Sequence, residues 1–503
     1  MGAIEQILEQ HGPARSSRIA QALQEQFNLE PAAARKRVSR ITPPIRKFPI
    51  PLLPKREAFL YHQDQRKTER FWTNLLRDLR ETNSVYGAAL DGLMARGGIV
   101  SADEFAVISG APLALKGQIS ASRVADTLVS AGAIQRTTLA GFGDCYLSAR
   151  PEIGNPDSTG FRPRLTADGV ILDGVREWAR KLGLAGYNSI AIRGDGRLRQ
   201  VGQFNWDLSG PSYLLPLRRG QAKNGFLVAD VFADGNFDVH SIQFFIRKVQ
   251  MLRASSNSGD TLAVLVGQSF SSKALTSGHA AGIVLATPAN LFGQKVGTAI
   301  QSLVETLKNA AAIATTNPER LAKLIDDLSE IEGAAGNLRG VLFELITAYL
   351  ARIDAVSVDV GITARDTETG KMADIDVLKV RSKAECVGIE CKGKRPGGVV
   401  ELAEIEDWLR RIPVFRAHIV GEQRFREAAI SFEIWTTGTF SADALALLHA
   451  EKPRRTKTPI SWKDGSQVAE IARTAKEKSI REALYEHFLK HPLAPKVPLQ
   501  KDN

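Results

Sequence analysis

The sequence predicts a multidomain α/β protein, and three observations point to that fold class. The chain has 503 residues, which is too long for a single hydrophobic core. Its hydrophobic content of 44% and charged content of 24% are those of ordinary globular domains. Short helical patterns fill roughly the first 150 residues, and strand-like runs alternate with helical runs after residue 164. We therefore expect helical modules first and sheet-containing domains after them.

Residues 1–66 predict three short helices and a hairpin. The helices are expected at residues 4–10, 18–23 and 32–40, with Ser16 or Ser17 capping the second and Pro31 opening the third. The polar sides of the third helix carry the cations that a helix in a DNA groove needs, namely Arg35, Lys36, Arg37 and Arg40. Residues 45–61 suit a wing. The order resembles winged-helix domains, which implies a DNA-binding domain, and a three-helix protein-interaction module remains the alternative.

Residues 67–150 predict a second, winged-helix-like domain. Its helices are expected at residues 85–96, from Ser101 onward and at residues 120–131, and a hairpin over residues 133–147 follows. Because its third helix has only Arg123 as a cation, we expect a structural role for it. Residues 151–163 are rich in turn-forming residues and predict a linker.

Residues 164–310 predict a further α/β domain. Its pattern gives a helix, two acid-bearing strands, a second helix and two more strands, at residues 175–182, 204–208, 225–232, 241–252, 262–267 and 281–287. The acids on the first two strands are Asp207 and Asp230.

Residues 315–451 carry the most informative pattern of the chain. Glu390 lies fourteen residues after Asp376, and both acids interrupt apolar, strand-like runs. Lys392 completes the only acid-x-lysine triplet in the sequence. Residues two apart share a strand face, so Glu390 and Lys392 should emerge side by side, and a neighbouring strand would add Asp376. Hard cations such as Mg²⁺ prefer such oxygen ligands, and a bound cation can activate water for attack on a phosphodiester. The alternative is an edge strand with solvated acids.

This constellation resembles the PD-(D/E)xK nuclease superfamily, which includes restriction endonucleases and Mrr-like enzymes. The resemblance covers about residues 315–445 and includes Glu344 on a predicted helix at residues 339–350, where the superfamily places a glutamate. A helix at residues 401–410, a strand at 430–437 and a helix at 441–449 complete its order. The proline of the superfamily name is absent, because Ala373 and Ile375 flank the acids. The fold expected is therefore a restriction-endonuclease-like α/β core.

The resemblance also implies roles for individual residues. Asp376, Glu390 and the backbone carbonyl of Cys391 would hold Mg²⁺, with Mn²⁺ able to substitute, and Asp374 is the rival of Asp376. Lys392 would orient or activate the attacking water, and Glu344 could ligate a second metal or hold a water. Lys394 and Arg395 are expected to contact the DNA backbone. A catalytic thiol at Cys391 is not expected.

Residues 164–310 echo the order of that nuclease domain and predict a degenerate copy of it. Phe232 stands two places after Asp230, where a lysine would be needed, so this copy should be inactive. Asp207 and Asp230 are therefore expected to be dispensable for cleavage. An unrelated α/β domain is the alternative.

The net charge of +11 resides in the two ends of the chain, since residues 67–451 are neutral overall. Basic ends favour a polyanionic partner, with double-stranded DNA first, although basic tails that only aid solubility remain the alternative. Residues 452–503 predict a basic linker and an amphipathic helix at residues 466–489. Three cysteines, no apolar leader at the N-terminus and no long apolar run predict a cytoplasmic protein without a membrane segment.

The function expected is a metal-dependent DNA endonuclease that hydrolyses phosphodiester bonds, of the sort bacteria use against foreign DNA. One alternative is a DNA-binding regulator with a non-cleaving nuclease fold, and another is a nuclease acting on RNA or on damaged or branched DNA. A homodimer is expected for double-strand cutting. No G-x-x-x-x-G-K-[ST] run is present, so translocation would need a separate ATPase or another defence-system partner.

Overall fold

The computed structural model describes residues 2–66, 68–139, 142–157, 160–186, 188–197, 199–214, 224–254, 260–308, 318–329, 336–366, 368–475 and 477–490. Residues 491–503 of the predicted C-terminal segment therefore lie outside the described residues, as does Gly141 of the predicted hairpin. The chain divides into two units. Unit 1 comprises Met1–Thr138, Gly143–Arg164 and Trp178–Thr287, and unit 2 comprises Leu139–Phe142, Leu165–Glu177 and Pro288–Asn503. Both units mix helices with sheets, so the predicted α/β class is confirmed.

Unit 1 begins with three helices and a small sheet. Its elements are α1 (Ala3–His11), β1 (Ala14–Arg15), α2 (Ser16–Phe27), α3 (Pro31–Ser39), β2 (Ile45–Lys47) and β3 (Phe59–His62). The antiparallel strands lie in the order β1-β3-β2, and Leu8, Ile19 and Leu60 are fully buried in the core between helices and sheet. The predicted start of α3 at Pro31 is confirmed. The predicted serine cap of α2 is wrong, because Arg15 occupies the N-cap without a side-chain hydrogen bond.

A second set of elements in unit 1 repeats this order after one extra helix. The elements are α4 (Glu69–Glu81), α5 (Val85–Ala95), β4 (Ile99–Ser101), α6 (Ala102–Ile108), α7 (Ala121–Ala131), β5 (Ile134–Leu139) and β6 (Gly143–Ser148). The strand order β4-β6-β5 matches β1-β3-β2. Ser101 and Ser120 cap α6 and α7. Helix α4 was not predicted, although its buried Phe71, Leu75 and Leu79 follow helical spacing.

A five-stranded sheet forms the remainder of unit 1. Helix α8 (Phe161–Lys181) precedes this sheet, and the middle of that helix, Leu165–Glu177, belongs to unit 2. The elements that follow are β7 (Ala191–Ile192), β8 (Gln200–Val201), β9 (Phe204–Asn205), β10 (Leu208–Ser212), β11 (Gly225–Val231), β12 (Asn236–Phe237), α9 (Gln243–Ala254), β13 (Thr261–Val266), β14 (Ser269–Phe270), α10 (Ser272–Ala280) and β15 (Ile283–Ala286). The sheet order is β15-β13-β11-β10-β7. Because α8 starts at Phe161, the predicted linker over residues 151–163 is too long.

Unit 2 contains a second five-stranded sheet. Its elements are α11 (Pro288–Phe292), α12 (Gln294–Lys308), α13 (Pro318–Ser329), α14 (Gly336–Ala351), β16 (Ser357–Arg365), β17 (Met372–Ser382), β18 (Glu385–Lys392), β19 (Val399–Val400), α15 (Leu402–Gly421), β20 (Ala429–Thr436), β21 (Thr439–Phe440), α16 (Ala442–Glu451), β22 (Ile460–Lys463), α17 (Gly465–Thr474) and α18 (Lys478–Leu484). The sheet order is β16-β17-β18-β20-β22. The sheet thus extends past residue 451 through β22, and the single helix predicted at residues 466–489 is two helices.

The two five-stranded sheets share one topology. In each, the first, second and third strands in chain order pair antiparallel with one another. The third, fourth and fifth strands pair parallel with one another. In each, one helix connects the third strand to the fourth and another connects the fourth to the fifth, namely α9 and α10 in unit 1 and α15 and α16 in unit 2. Within the described ranges, no helix has both the length and the apolar character needed to cross a bilayer.

Candidate active site

The register of β17 and β18 brings Asp376 and Glu390 together. The antiparallel pairing runs from Val380 and Cys386 to Val377 and Ile389. The next residues outward are Asp376 on one strand and Glu390 on the other, so the two carboxylates lie at the point where this pairing ends. On its other side, β18 remains paired with β20 as far as Lys392. Strand β18 is the middle strand of the sheet and Glu390 is 4% exposed, so the alternative of a solvated edge strand is wrong.

Glu390 is held by two cations through one carboxylate oxygen. Its Oε1 accepts hydrogen bonds from Lys392 Nζ and from Arg411 Nη2, each at 2.8 Å. Arg411 lies on α15 and also pairs with Asp407, one turn earlier, at 3.2 Å. Although burial alone would lower it, the charge of Glu390 raises the pKa of Lys392. Arg411 was not predicted as a site residue, because nothing in the sequence shows which face of α15 meets the sheet.

Asp376 lies where several negative charges converge. Its Oδ2 accepts a hydrogen bond from the backbone N–H of Cys391 at 2.7 Å. Desolvation, followed by the charges of Glu390 and Glu344, raises the pKa of the Asp376 carboxyl well above its usual range. Glu344 therefore contributes to the field at the site from α14, which packs against β17 and β18. The predicted helix at residues 339–350 is confirmed by α14.

The two remaining predicted residues of the cluster lie close by. Asp374 is two residues before Asp376, in the part of β17 that is paired with β16. The thiol of Cys391 is buried, and desolvation and the charge of Asp376 raise its pKa well above the ordinary value. A thiol kept protonated in this way is a poor nucleophile, in agreement with the expectation that Cys391 is no catalytic thiol.

The donor set suits a hard divalent cation in charge and ligand type. Carboxylate oxygens are the ligands that Mg²⁺ prefers, and Glu390 Oε2 is buried with no hydrogen-bond partner among the described residues. The crowding of Asp376, Glu390 and Glu344 is the situation that a cation would relieve. With the side chains as they stand, however, no group of three or more His, Cys, Asp or Glu in the described ranges has the geometry of a metal site. Glu390 instead forms ion pairs with Lys392 and Arg411.

The loop after Lys392 passes close to the first turn of α14. A Cβ on Gly393 would lie 2.5 Å from the carbonyl oxygen of Arg339, so only glycine fits there. Lys394 forms an ion pair with Glu404 at 2.7 Å, and its expected contact with the DNA backbone stays a prediction. Arg395 is exposed, and the pKa of Arg339 is lowered by burial and then by the charge of Arg395. Neither arginine pairs with an acid in the part of the chain that the structure describes, which leaves two neighbouring cations for an anion.

The predicted DNA-binding residues of α3 form one exposed basic face. Arg35, Lys36, Arg37 and Arg40 are all exposed, whereas Ala34 and Val38 turn into the core. A groove of about 670 Å³ lies between α2, α3 and the hairpin, and its lining includes Arg35, Lys47 and Lys55. Arg46 and Lys47 on β2 are also exposed. Sequence reasoning identified the cations of α3 and missed those of the hairpin, whose spacing gives no periodic signal.

Comparison with protein-family models, with curated proteins and with solved structures finds no match for this chain.

Proposed function

We propose that this chain is a metal-dependent DNA endonuclease, with the catalytic centre in unit 2. The observation that carries the proposal is the placement of Asp376 and Glu390 opposite each other where two central strands separate, with Lys392 bonded to Glu390. The order of elements from α14 to α16, with Glu344 on α14, supports the resemblance to the PD-(D/E)xK superfamily. A role in bacterial defence against foreign DNA, cytoplasmic location and action as a homodimer are parts of the same proposal.

Each side chain of the site has a definable task. Asp376, Glu390 and the Cys391 carbonyl would hold Mg²⁺ or Mn²⁺, and a bound cation supplies a nucleophilic water and stabilises charge on the phosphate. Lys392, paired with Glu390 at 2.8 Å, presents an ammonium that can orient that water and offset phosphate charge. Arg411 fixes the orientation of Glu390 from α15. Glu344 remains the candidate for a second cation or for a held water.

The basic groups around the site and at the N-terminus would hold the DNA. Arg339 and Arg395 form a cationic pair beside the loop that follows Lys392. Two guanidinium groups near each other repel unless an anion lies between them, and a DNA phosphate meets that need bidentately. The element order of α1 to β3 supports a winged-helix module, and the exposed α3 carries four cations that could contact a DNA groove.

The test is incubation of the purified full-length chain with supercoiled, linear and single-stranded DNA and with RNA. Each substrate is offered with Mg²⁺, with Mn²⁺ and with a chelator. The proposal expects nicking or linearisation of duplex DNA that chelator abolishes. Cleavage confined to RNA, or to branched or damaged DNA, would replace the substrate and keep the chemistry.

A second candidate is a DNA-binding protein whose nuclease fold does not cut. The observation that favours it is the double ion pair at Glu390, because Lys392 and Arg411 together already neutralise this carboxylate. Tight DNA binding without any cut under all metal conditions would select this candidate.

A further inference from the structure

Unit 1 contains a carboxylate pair in the same register as the pair of unit 2. Strands β10 and β11 pair antiparallel from Ser212 and Gly225 to Leu208 and Ala229. The next residues outward are Asp207 and Asp230, just as Asp376 and Glu390 are the next residues beyond the pairing of β17 and β18. The acids predicted from the sequence thus occupy corresponding places in two sheets of the same topology.

Two hydrogen bonds are also repeated. The backbone N–H of Val231, which follows Asp230, donates to Asp207 Oδ2 at 3.0 Å, as the N–H of Cys391 donates to Asp376. Lys248 on α9 bonds to Asp230 at 2.6 Å, as Arg411 on the corresponding helix α15 bonds to Glu390. The agreement of acids, amide and helix cation favours a degenerate copy over an unrelated α/β domain.

The two sites differ in what stands among the carboxylates. In unit 1 the guanidinium of Arg96, which is fully buried, forms an ion pair with Asp207 and donates to the carbonyl of Val231 at 3.2 Å. Phe232 occupies the place that Lys392 has in unit 2, and its ring lies 4.4 Å from the guanidinium carbon of Arg96. Phe232 therefore replaces the lysine of the nuclease pattern and also contacts the guanidinium of Arg96 through its ring.

Lysine and arginine side chains of unit 1 compensate the carboxylates of this cluster. Asp207, Asp230 and Glu104 face Arg96, Lys248 and Arg193, and the first five of these six residues are at most 3% exposed. Arg96 and Arg193 both bond to Glu104, at 2.9 Å and 2.7 Å. Although burial alone would raise it, the guanidinium groups of Arg193 and Arg96 hold the pKa of Asp207 at about 2. Arg164 and Arg199 add further positive charge near Glu104 and Asp207, so this buried cluster has no surplus negative charge to offer a divalent cation.

We infer that Arg96 takes the place of the metal ion in this copy and that the Asp207–Asp230 pair forms a structural link inside unit 1. Arg96 follows the last residue of α5, and Glu104 lies on α6. This structural link therefore connects the second set of helices to the five-stranded sheet of unit 1. Apolar side chains of both parts already share one core. The comparison with a metal site rests on the proposed function, whereas the structural link rests only on the contacts of Arg96.

The first test is a double-mutant cycle on the full chain, read as the midpoint of thermal unfolding. Arg96→Met removes the hydrogen-bonded ion pair of buried Asp207 and leaves it the longer contact with Arg193 at 3.7 Å, so we expect a clear fall in Tm or a loss of soluble protein. Arg96→Met combined with Asp207→Asn removes both charges, and it should recover most of the loss. Arg136→Met, which affects only the exposed pair with Asp144, is the control and should leave Tm unchanged. An Arg96→Met variant as stable as wild type, or a double variant whose Tm does not recover, would overturn the inference of a structural link.

The second test asks whether the place of Arg96 accepts a cation. Arg96→Ala opens a space beside Asp207, and Asp376→Ala in the same chain removes a ligand from the unit 2 site. In that background we expect Mn²⁺ to raise Tm in a saturable way, or to raise the yield of soluble protein where the variant alone does not fold, and the added change Asp207→Asn should abolish the rise. No rise with Mn²⁺ would sink the idea of metal replacement. Neither readout uses DNA cleavage, so failure here and failure of the nuclease proposal are distinguishable.

Discussion

At the scale of single residues, the proposed function depends on how Glu390 is held. Lys392 and Arg411 both donate to Oε1, and the buried Oε2 has no partner within the described ranges. Such an arrangement fixes the rotamer of the carboxylate and keeps one oxygen available for a ligand. Groups that orient a metal-binding carboxylate in this way generally matter almost as much as the ligand itself.

Arg411→Ala should therefore slow DNA cleavage and raise the Mg²⁺ concentration needed for half-maximal rate. We expect a loss of roughly 10- to 100-fold, the usual range for groups that orient a metal ligand. Arg410→Ala is the matched control, since Arg410 is on the same helix, is 74% exposed and pairs only with Asp407 among the described residues. The measurement is the single-turnover cleavage rate against Mg²⁺ concentration, and equal rates for both variants would contradict the role of Arg411.

The residues that the structure brings together could be identified from the sequence where their signal was local. Asp376, Glu390 and Lys392 could be recognised because acids on an apolar strand pattern stand out within one short segment. Arg411 and Arg339 could not be recognised, since the face that a helix turns to a sheet is decided by packing between distant segments. The expectation that Lys394 contacts DNA rests on its position in the sequence alone. Its ion pair with Glu404 on α15 could not be predicted, because this contact also depends on packing between separate segments.

Asp207 and Asp230 show a related limit of sequence reasoning. The sequence predicts that both are dispensable for cleavage, and their lack of a nearby lysine in the strand pattern still favours this. Simple alanine variants, however, would remove one of the two ion pairs of buried Arg96, or the ion pair of buried Lys248, and destabilise unit 1. The charge-balanced variant Arg96→Met with Asp207→Asn is the informative one, and it should retain wild-type cleavage at a temperature where it is folded.

At the scale of elements, α3 is the part of unit 1 best suited to DNA. Replacing Arg35, Lys36, Arg37 and Arg40 together by Gln should weaken binding to duplex DNA of any sequence. The slope of log K against log salt should become shallower by roughly one for each DNA phosphate that is no longer neutralised. Arg123→Gln on α7, the corresponding helix of the second set, should change neither value. Unchanged salt dependence in the fourfold variant would exclude α3 from the interface.

Strand β22 gives a second prediction at this scale. A chain that ends at Glu451 lacks β22 and exposes the edge of β20, where Phe432 to Trp435 pair with Ile460 to Lys463. An uncovered parallel edge favours aggregation, so this truncation should lower Tm and solubility. A chain that ends at residue 490 keeps β22 and is the control. Equal Tm values for the two truncations would show that the strand adds little.

The sequence did not indicate β22 because its four residues include only one that is buried, Ile460. Its partner strand is also distant in sequence, since α16 connects the two. Longer elements were predicted well for the opposite reason: β18 and β20 are eight residues each and carry a clear apolar pattern of their own.

At the scale of the whole molecule, the chain uses each of two architectures twice. Two sets of helices with small three-stranded sheets and two five-stranded sheets of one topology account for most of the described elements. Only the later copy of the larger fold keeps an acid-x-lysine triplet, and only the earlier copy of the smaller fold carries a strongly basic third helix. This division of features favours one DNA-reading module and one catalytic module, each accompanied by a structural counterpart.

We propose that Asp376, Glu390 and Lys392 form one catalytic centre. The most direct measurement is the single-turnover rate of Mg²⁺-dependent cleavage of supercoiled DNA by Asp376→Asn, Glu390→Gln and Lys392→Met, beside Asp374→Asn as the control on the same strand. We predict that the first three variants lose cleavage while DNA binding remains, and that Asp374→Asn cuts at close to the wild-type rate. Wild-type rates in all three variants would contradict the claim.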